Sequence, residues 1–344
     1  EAYTNTYLDL DNHGFYKNQY SCRSYTAKFG EKYGPTSGIT IYPDLTTDST
    51  KVAFHGGLPL LTFHGYNGVS HFVLTGSSST VRRFLTNRVS SGVIDLDENA
   101  WLYALSGVAS AAKYLTVKAY DSAGALIQTR QIVNTSYVAV TDDANIMIRC
   151  SAGPNNLNLV AGGDVSGGGQ PVIPTNTAKY SCYMENTTVQ NSETQWFVIK
   201  DFCDKYTKYR LHFLNVFGGF DSFSFIGGSQ KTVQIKKDFY TKTLGQILSG
   251  TEYGFNKRDR FANQFNTEYK EKVRIHSDWI KETESTWLKE LFTSPEVYLD
   301  HPTHGLLAVQ IVDNSYEEKQ HVVNKLINLS IEFEYSNSEY RQKL

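Results

Sequence analysis

The most constraining feature of this sequence is a series of short apolar runs over residues 38–150, separated by clusters of Gly, Ser, Asn and Asp. Runs of this kind are typical of short strands joined by turns. The clearest pair spans residues 114–129 and turns at an Asp-Ser-Ala-Gly sequence. Leu115 and Val117 share one face there at a period of two, which predicts a β-hairpin. We therefore expect a β-sandwich-like domain over residues 38–160.

A Gly-rich stretch over residues 161–175 predicts the domain boundary. Its Ala-Gly-Gly-Asp-Val-Ser-Gly-Gly-Gly-Gln-Pro sequence has little to bury and high backbone freedom, as linkers and long exposed loops do. A second, β-rich domain is expected over residues 176–344. Residues 1–37 form an N-terminal arm or the remnant of an upstream domain, an expectation that rests on Glu1 standing where a Met would.

One helix is predicted in the second domain, over about residues 277–293. Apolar residues at helical spacing share one of its faces: Ile280, Trp287, Leu288, Leu291 and Phe292. Ser277 or Asp278 can cap its start, and a Ser-Pro pair follows its end. The apolar face predicts that Trp279, Trp287 and Phe292 belong mostly to the core.

Strict alternation of apolar and polar residues makes residues 329–335 the best predicted strand, with one face buried and one charged face exposed. The 23 Tyr and 19 Phe also favour pleated, half-buried surfaces. The predicted fold class is mainly β with a minor α component. It consists of β-sandwich-like domain(s) followed by an α+β domain that combines a sheet with a helix.

The charge balance argues against polyanionic partners. The formal net charge is -2, so nothing attracts the whole chain to nucleic acid or to an anionic membrane surface. No run reaches the roughly 18 apolar residues that a membrane-spanning helix needs. We expect neither sequence-specific nucleic-acid binding nor membrane insertion. The cysteines Cys22, Cys150, Cys182 and Cys203 are widely spaced, which predicts buried free thiols and folding in a reducing cytoplasm.

The sequence lacks the motifs that identify catalytic, cofactor-binding or metal-binding sites. It contains neither a phosphate-binding Gly-rich loop nor a Gly-x-Ser-x-Gly nucleophile turn. The spacing of His55, His64 and His71 matches no compact metal motif, and residues 300–304 have the composition of a turn. The carboxylates of residues 95–98 are interpreted as a solvated turn as well. We therefore assign no catalytic, cofactor-binding or metal-binding residues and do not expect an enzyme.

Three segments, taken in chain order, are similar to a known group of proteins: residues 208–223, residues 279–299 and residues 325–336. They resemble the C-terminal half of structural proteins encoded in tail modules of phages and prophages of Bacteroidota-type bacteria. Shorter earlier stretches, such as Gly153-Pro154-Asn155-Asn156-Leu157-Asn158, are similar to the same group. The resemblance implies a sheet-plus-helix module of the kind from which tail rings are built. It implies no active site.

The expected role is that of a phage virion structural protein, a tail or baseplate component that acts by self-assembly and protein-protein contacts. Its partners would be copies of itself and other tail proteins, and it would reside in the virion after assembly in the bacterial host cytoplasm. Interface residues are expected at Arg210, Arg258, Arg260 and Tyr335. The alternative is a module that binds a host receptor or surface glycan, because tyrosines offer both a stacking face and a hydroxyl.

Overall fold

The structure is a computed structural model, and it describes most of the chain beyond residue 80. The described residues are 13–18, 22–25, 28–33, 40–47, 51–54, 57, 71–75, 81–107, 112–134, 146–166, 171–186, 189–200, 205–243, 245–250, 252–254, 257–258, 260–313, 326–337 and 339–343.

Short strands dominate the first part of the chain. In order they are β1 Phe15–Asn18, β2 Cys22–Tyr25, β3 Lys28–Tyr33, β4 Thr40–Thr47, β5 Lys51–Phe54, β6 Val73–Leu74, β7 Ser91–Ile94, β8 Trp101–Ser106, β9 Tyr114–Tyr120, β10 Leu126–Val133, β11 Ile146–Ser151 and β12 Val165–Ser166. A five-residue helix, α1, spans Pro154–Asn158, and a 3-10 turn spans Gly162–Asp164.

The later strands include two long ones. In order they are β13 Lys179–Glu185, β14 Gln195–Ile199, β15 Tyr209–Leu214, β16 Phe220–Phe225, β17 Ser229–Thr241, β18 Gln246–Ser249, β19 Glu252–Gly254, β20 Ala262–Lys281, β21 Val297–His301, β22 Gly305–Ile311, β23 Leu326–Tyr335 and β24 Glu339–Lys343. Helix α2 spans Glu282–Thr293. The chain is therefore mainly β with a minor α component, as the sequence predicted.

Three sheets hold most of the described strands. They run β1-β11-β8-β6, β12-β10-β9-β13-β14-β7 and β16-β15-β21-β22-β23-β20-β17, with β24 also paired to β20. Three further pairs, β2-β5, β3-β4 and β18-β19, stand apart from these sheets. None of the helices in the described ranges is both long and apolar enough to cross a bilayer.

Two compact units divide the chain. The first contains Glu1–Cys203, His212–Ser224 and Thr283–Pro295; the second contains Asp204–Leu211, Phe225–Glu282 and Glu296–Leu344. This division differs from the ranges predicted from sequence. The Gly-rich stretch does not end the first unit, because β12 pairs with β10 and β13 pairs with β9 across it. Strand β1, within the predicted arm, pairs with β11.

The first unit has a sandwich-like core to which the four-stranded and six-stranded sheets both contribute. Leu102 and Cys150 come from one sheet, and Leu115, Val117 and Tyr180 come from the other. The Tyr180 ring stacks on Phe197, and its hydroxyl donates a hydrogen bond to the backbone oxygen of Ala152 at 2.8 Å. The phenol is therefore buried with its polar atom satisfied.

The predicted hairpin over residues 114–129 is confirmed. Strands β9 and β10 pair antiparallel, and Gly124 adopts the positive φ of 83° that its turn requires. Residues 103–106 do not alternate between apolar and polar types in the sequence. Strand β8 runs there, fully buried between β11 and β6, so burial on both faces removed the alternation that identifies most strands.

In the second unit, β23 confirms the predicted alternating strand. Leu329, Ile331 and Phe333 are buried. Of the residues that alternate with them, Ser330 is exposed, and Glu332 and Glu334 are partly exposed. β23 lies between β22 and β20. Its buried face therefore contributes to the middle of the sheet.

Helix α2 exists, but it begins at Glu282, five residues later than predicted. Residues 277–281 still belong to β20. The Ser277 hydroxyl accepts a hydrogen bond from the Leu329 backbone N–H at 2.8 Å, at a register shift between β20 and β23, so it does not cap a helix. Trp287 is buried as expected, but Trp279 is 65% exposed and Phe292 is only half-buried. The core prediction for Trp279 is wrong because the residue lies on a strand.

Candidate assembly surface

Strands β17 and β20 form a long antiparallel ribbon in the second unit. They pair from Ser229 opposite Ile275 to Thr241 opposite Ala262. Thirteen strand residues extend about 43 Å. The pairing between the two ends is interrupted by a register shift after Asp238. The ribbon is thus the longest continuous two-stranded feature in the described residues.

Most of this ribbon buries nothing. Every residue of β17 is exposed except the partly exposed Asp238, and β20 has no buried residue before Val273. Strand pairs without a covered apolar face are marginally stable in water. The outer half of the ribbon therefore lacks the burial that normally stabilises a strand pair.

Large apolar side chains lie on this exposed ribbon. Val233 is 51% exposed, Ile235 is 59% exposed and Phe239 is 56% exposed. The three residues are at odd positions of β17, so they point to the same face of the strand. Tyr240 and Phe265 add a tilted ring pair with centroids 6.2 Å apart. Val233 and Ile235 are adjacent on this face, and Lys237 separates them from Phe239.

The outer edge of β17 is also unused within the described ranges. β17 is the last strand of the eight-stranded sheet, and only β20 pairs with it there. Its outward N–H and C=O groups form a template on which another strand can pair. Soluble proteins usually protect such an edge with short strands, charged side chains (above all lysines), prolines or bulges. Strand β17 is long and contains no proline, but it carries three lysines, and its pairing with β20 shifts register after Asp238.

Ion pairs follow the ribbon and the adjoining strand. Lys231 lies 3.3 Å from Glu271 and Lys236 lies 3.9 Å from Glu268, both across the β17-β20 pair. Arg274 lies 2.9 Å from Glu332 of β23. Exposed pairs of this kind contribute little to stability. They partly neutralise Lys231 and Lys236.

The four interface residues expected from sequence lie in different surroundings. Arg210 is on β15 and only 5% exposed, so it is part of the interior. Arg258 and Arg260 are exposed and belong to the connection between β19 and β20, at the distal end of the ribbon. Tyr335 ends β23 and packs edge-on against Phe333 with centroids 6.0 Å apart.

The first unit contains a buried cluster of hydrogen-bonded polar side chains. Asp221 accepts hydrogen bonds from the Thr86 hydroxyl at 2.8 Å and from the Trp287 indole Nε1 at 2.9 Å. Burial raises the pKa of Asp221, and the Trp287, Thr86 and Asn215 donors and the Arg88 charge partly oppose that rise. These donors hold the carboxyl group in place, and the cluster serves to fasten helix α2 to β16.

Glu290 lies near this cluster. Its two oxygens accept hydrogen bonds from the Asn87 side-chain amide at 2.8 Å and from the Val216 backbone N–H at 3.2 Å. Burial and the nearby Asp221 raise the pKa of Glu290 to about 7, against the opposing effect of those two donors. This pairing could not be predicted from a local pattern, because Asn87 and Glu290 are 203 residues apart.

Other residues considered from sequence have structural surroundings. Residues 95–98 form a turn, but the Glu98 carboxylate is buried and accepts a hydrogen bond from Ser224. In the turn after β21, His301 Nδ1 accepts hydrogen bonds from the backbone N–H groups of Thr303 and His304. His55 and His64 lie outside the described residues, whereas His71 is exposed. No cluster of potential metal ligands occurs in the described parts of the chain.

The two cysteines with described side chains are buried free thiols. Cys150 and Cys182 both lie in the core of the first unit. Burial raises the pKa of each thiol above its usual value, so neither is poised as a thiolate nucleophile. Cys203 lies outside the described residues, and nothing is described of the Cys22 side chain.

Sequence reasoning missed the ribbon itself. Its signal is present, because Val233, Ile235 and Phe239 are separated by polar residues and recur at a period of two. Lysines interrupt the apolar face, however, and no turn dipeptide directly joins β17 to β20. The strands are separated by the 20 residues that include the β18-β19 pair.

No protein-family model matches the chain, and no curated protein matches it either. A role for this chain therefore has to be inferred from its own geometry.

Proposed function

We propose that this chain is a structural subunit of a bacteriophage tail or baseplate that assembles with copies of itself through the exposed edge of β17. The carrying observation is the thirteen-residue edge strand, which pairs only with β20 in the described residues and displays Val233, Ile235 and Phe239 to solvent. Pairing with a second strand would satisfy the edge N–H and C=O groups and cover these side chains. Recognition and scaffolding, without bond-making chemistry, are the mechanism.

A second copy of this chain is the occupant that suits the charge pattern of β17. If two β17 edges pair antiparallel about Ile235, then Ile235 faces its own copy and Val233 faces Lys237. In the same register Lys231 faces Phe239, so no lysine stands directly opposite another lysine. If the centre of the pairing moves by one residue to Lys236, the two copies of Lys236 face each other and their positive charges repel. The strand thus tolerates its own copy and restricts the register.

The three segments that resemble tail proteins support placing this assembly in a phage. Residues 208–223 contain β15 and most of β16, residues 279–299 contain α2 and the first part of β21, and residues 325–336 contain β23. They therefore supply much of a sheet and the helix that follows it. We propose other tail proteins as additional partners, the virion as the location and the host cytoplasm as the place of assembly.

The test is to substitute lysine for the exposed apolar residues of β17 and to measure mass in solution. We expect the wild-type chain to form a discrete multimer by light scattering, with the population increasing with concentration. The Val233→Lys and Ile235→Lys double variant should remain a monomer, because it places further charge on the pairing edge. Its circular dichroism should be unchanged, since both side chains are exposed.

Val81→Lys is the matched control. Val81 is 54% exposed, close to the 51% of Val233, but it lies in the first unit and outside the named strands. The control should assemble like the wild type. A wild-type chain that stays monomeric at every concentration, or a double variant with the wild-type mass, would show that β17 is not the interface. Truncation after Asn328 is a poorer test, because it removes most of the central strand β23.

A further inference from the structure

The outer face of the six-stranded sheet in the first unit carries aromatic rings and lysines in a regular arrangement. Val117 on β9, Tyr180 on β13 and Phe197 on β14 belong to the core. The residues that alternate with them therefore point outward. Four outward residues carry aromatic rings, all of them partly exposed: Tyr114, Tyr120, Tyr183 and Trp196. This outer face lies in the first unit and shares no residue with β17.

Strand pairing places one ring in each of four successive rows across the outer face. In order, the rows contain Tyr120 opposite Lys179, then Lys118 and Trp196 on either side of Ser181, then Tyr183 opposite Thr116, and then Glu185 opposite Tyr114. Successive rows on one face of a sheet are about 6.8 Å apart. The four rings therefore follow one another over about 20 Å.

Lysine side chains lie over these rings. The ammonium nitrogens are 5.3 Å from the Tyr114 centroid for Lys113, 5.3 Å from the Tyr183 centroid for Lys118, and 5.7 Å from the Trp196 centroid for Lys179. Contacts of this kind extend to about 6 Å and are weak where the side chains are exposed. Each lysine can therefore turn towards a bound anion and uncover the face of its ring.

The outer face has more positive than negative charge. Among the described residues, no carboxylate forms an ion pair with Lys113, Lys118 or Lys179. Glu185 is the acidic residue of the four rows, and Asp121 lies beyond them in the β9-β10 turn, where a backbone N–H bonds to its carboxylate. Exposed charges more than about 10 Å apart are screened at 0.1 M salt. The chain's net charge of -2 therefore does not cancel this local excess.

Single-stranded nucleic acid is the anionic ligand that would use both the rings and the lysines. Its bases stack on aromatic side chains while its phosphates attract cations. An acidic polypeptide would use the lysines alone, and a duplex keeps its bases stacked on one another. A sugar needs free carboxylates or amides for its hydroxyls. Here Glu185 already accepts hydrogen bonds from the Thr116 hydroxyl at 2.6 Å and from the Gln131 side-chain amide.

We propose that the outer face binds single-stranded nucleic acid without sequence preference. Successive bases stack on the four rings, and the three lysines contact the phosphates between them. Every base has a face that can stack, so this mode of binding does not select a sequence. The site is independent of the proposed assembly, because it uses neither the edge nor the side chains of β17.

The experiment follows the fluorescence anisotropy of a labelled oligothymidylate as wild-type protein is added at several salt concentrations. We expect saturable binding whose logarithm of affinity falls with the logarithm of salt concentration at a slope of about -2, because each of three lysines contributes about -0.7. An oligomer of the same length without bases keeps the phosphates and should bind at least tenfold more weakly. Equal binding of the base-free oligomer, or equal competition by polyglutamate, would show that charge alone is recognised and would overturn the proposal.

Two variants and a matched control define the site. The double variant Lys118→Gln and Lys179→Gln should weaken binding at least tenfold and bring the salt slope to about -0.7. Trp196→Ala should weaken binding at least fivefold with an unchanged slope, because stacking releases no counterions. The control is the double variant Lys205→Gln and Tyr206→Ala. Lys205 lies 5.3 Å from the Tyr206 centroid, but both residues belong to the second unit, so the control should bind like the wild type.

Light scattering and circular dichroism on the same samples report mass and folding. Both outer-face variants should keep the wild-type mass, so loss of nucleic-acid binding is distinguished from loss of the β17 interface. The lysine variant changes side chains that are exposed or partly exposed, and it decides the matter if Trp196→Ala fails to fold. Absence of saturable binding at low salt, or wild-type binding by the lysine variant, would exclude the outer face as a nucleic-acid site.

Discussion

Glu290 is protonated over part of the physiological pH range because the fold buries it beside Asp221. The pKa of its carboxyl is raised from 4.5 to about 7. The folded state therefore binds a proton between these two pH values that the unfolded state has released, so the free energy of unfolding falls as pH rises from about 4.5 to about 7. Asp221, whose pKa is also raised, adds a contribution of the same sign.

Replacing Glu290 with Gln should flatten this pH dependence. The amide oxygen can keep one of the two hydrogen bonds, and no proton is linked to folding at that position. We expect the difference in stability between pH 5 and pH 8 to shrink by about 2 kcal/mol. Urea unfolding across that pH range measures it. Glu296→Gln is the control, because Glu296 lies beyond the end of α2, and an unchanged slope in Glu290→Gln would refute the linkage.

Among the asparagine side chains in turns, Asn215 is the one whose removal should lower the free energy of unfolding most. It is 3% exposed, its Oδ1 accepts from the backbone N–H groups of Phe217 and Gly219 at 3.0 Å, and its Nδ2 donates to the Leu85 backbone oxygen at 2.8 Å. Asn215→Ala should lower the free energy of unfolding by about 2–4 kcal/mol, since buried partners lose their hydrogen bonds. Chemical denaturation provides the measurement.

Asn263→Ala is the comparison for that experiment. Its Nδ2 donates to the Arg260 backbone oxygen at 3.2 Å on the exposed ribbon, so water can replace the contact. We expect a change within about 0.5 kcal/mol. Equal effects of the two alanine variants would show that burial of the Asn215 side chain does not determine its contribution.

Such buried polar contacts could not be predicted from the sequence. Thr86 and Asp221 are 135 residues apart, and Asp221 and Trp287 are 66 residues apart. No local pattern indicates which distant donor a carboxylate will meet. Buried thiols at Cys150 and Cys182 were predicted, because Cys behaves as a small apolar residue wherever it lies in a core.

Helix α2 is fastened through Trp287. The indole donates to Asp221 and lies 5.7 Å from the Phe213 ring and 6.2 Å from the Phe223 ring, measured between centroids. Trp287→Phe removes the only Nε1–H at this position and leaves a smaller ring. We expect a loss of about 2–3 kcal/mol in the free energy of unfolding, measured by urea denaturation.

Trp279→Phe is the matched variant on a neighbouring element. Trp279 is 65% exposed on β20, so the same substitution should change stability by no more than about 0.5 kcal/mol. If both variants are equally destabilised, the hydrogen bond to Asp221 is not what secures the helix.

Elements with one buried face were predicted well, and elements with none or two were not. β9 and β23 each alternate because one face meets the core. β8 is buried on both faces, and the distal part of β20 on neither. In both cases the period of two disappears from the sequence. The start of α2 was misplaced because Ser277, a favourable capping residue, instead bonds to Leu329 across the sheet.

The first unit is discontinuous in sequence, which leads to a prediction for fragments. Residues 212–224 supply Asn215 and Asp221, and residues 283–295 supply Trp287 and Glu290. A fragment ending at residue 203 keeps the four-stranded and six-stranded sheets but lacks all four side chains. We expect it not to fold cooperatively. Its amide NMR spectrum should be poorly dispersed, and a well-dispersed spectrum with a sharp unfolding transition would contradict the prediction.

The Gly-rich stretch illustrates why the division of the chain was hard to predict. Composition identifies a segment with little to bury, but Val172 and Ile173, within its predicted range, lie in the first unit's core. Strand β13 then pairs with β9, which lies about 60 residues earlier in the chain. Lys179, for example, is opposite Tyr120. Sheet neighbours that are distant in sequence leave no local trace, so composition alone could not show which side of the stretch they join.

The same discontinuity sets an order of events during synthesis on the ribosome. Residues 283–295 begin 80 positions after residue 203, so the first unit must wait for its last segment. The β17-β20 ribbon connects residues that are close in the chain, and nearby strands pair sooner than distant ones. A nascent chain can therefore expose the outer edge of β17 before either unit is complete. Until both units are complete, that edge is available for pairing with a strand of another chain.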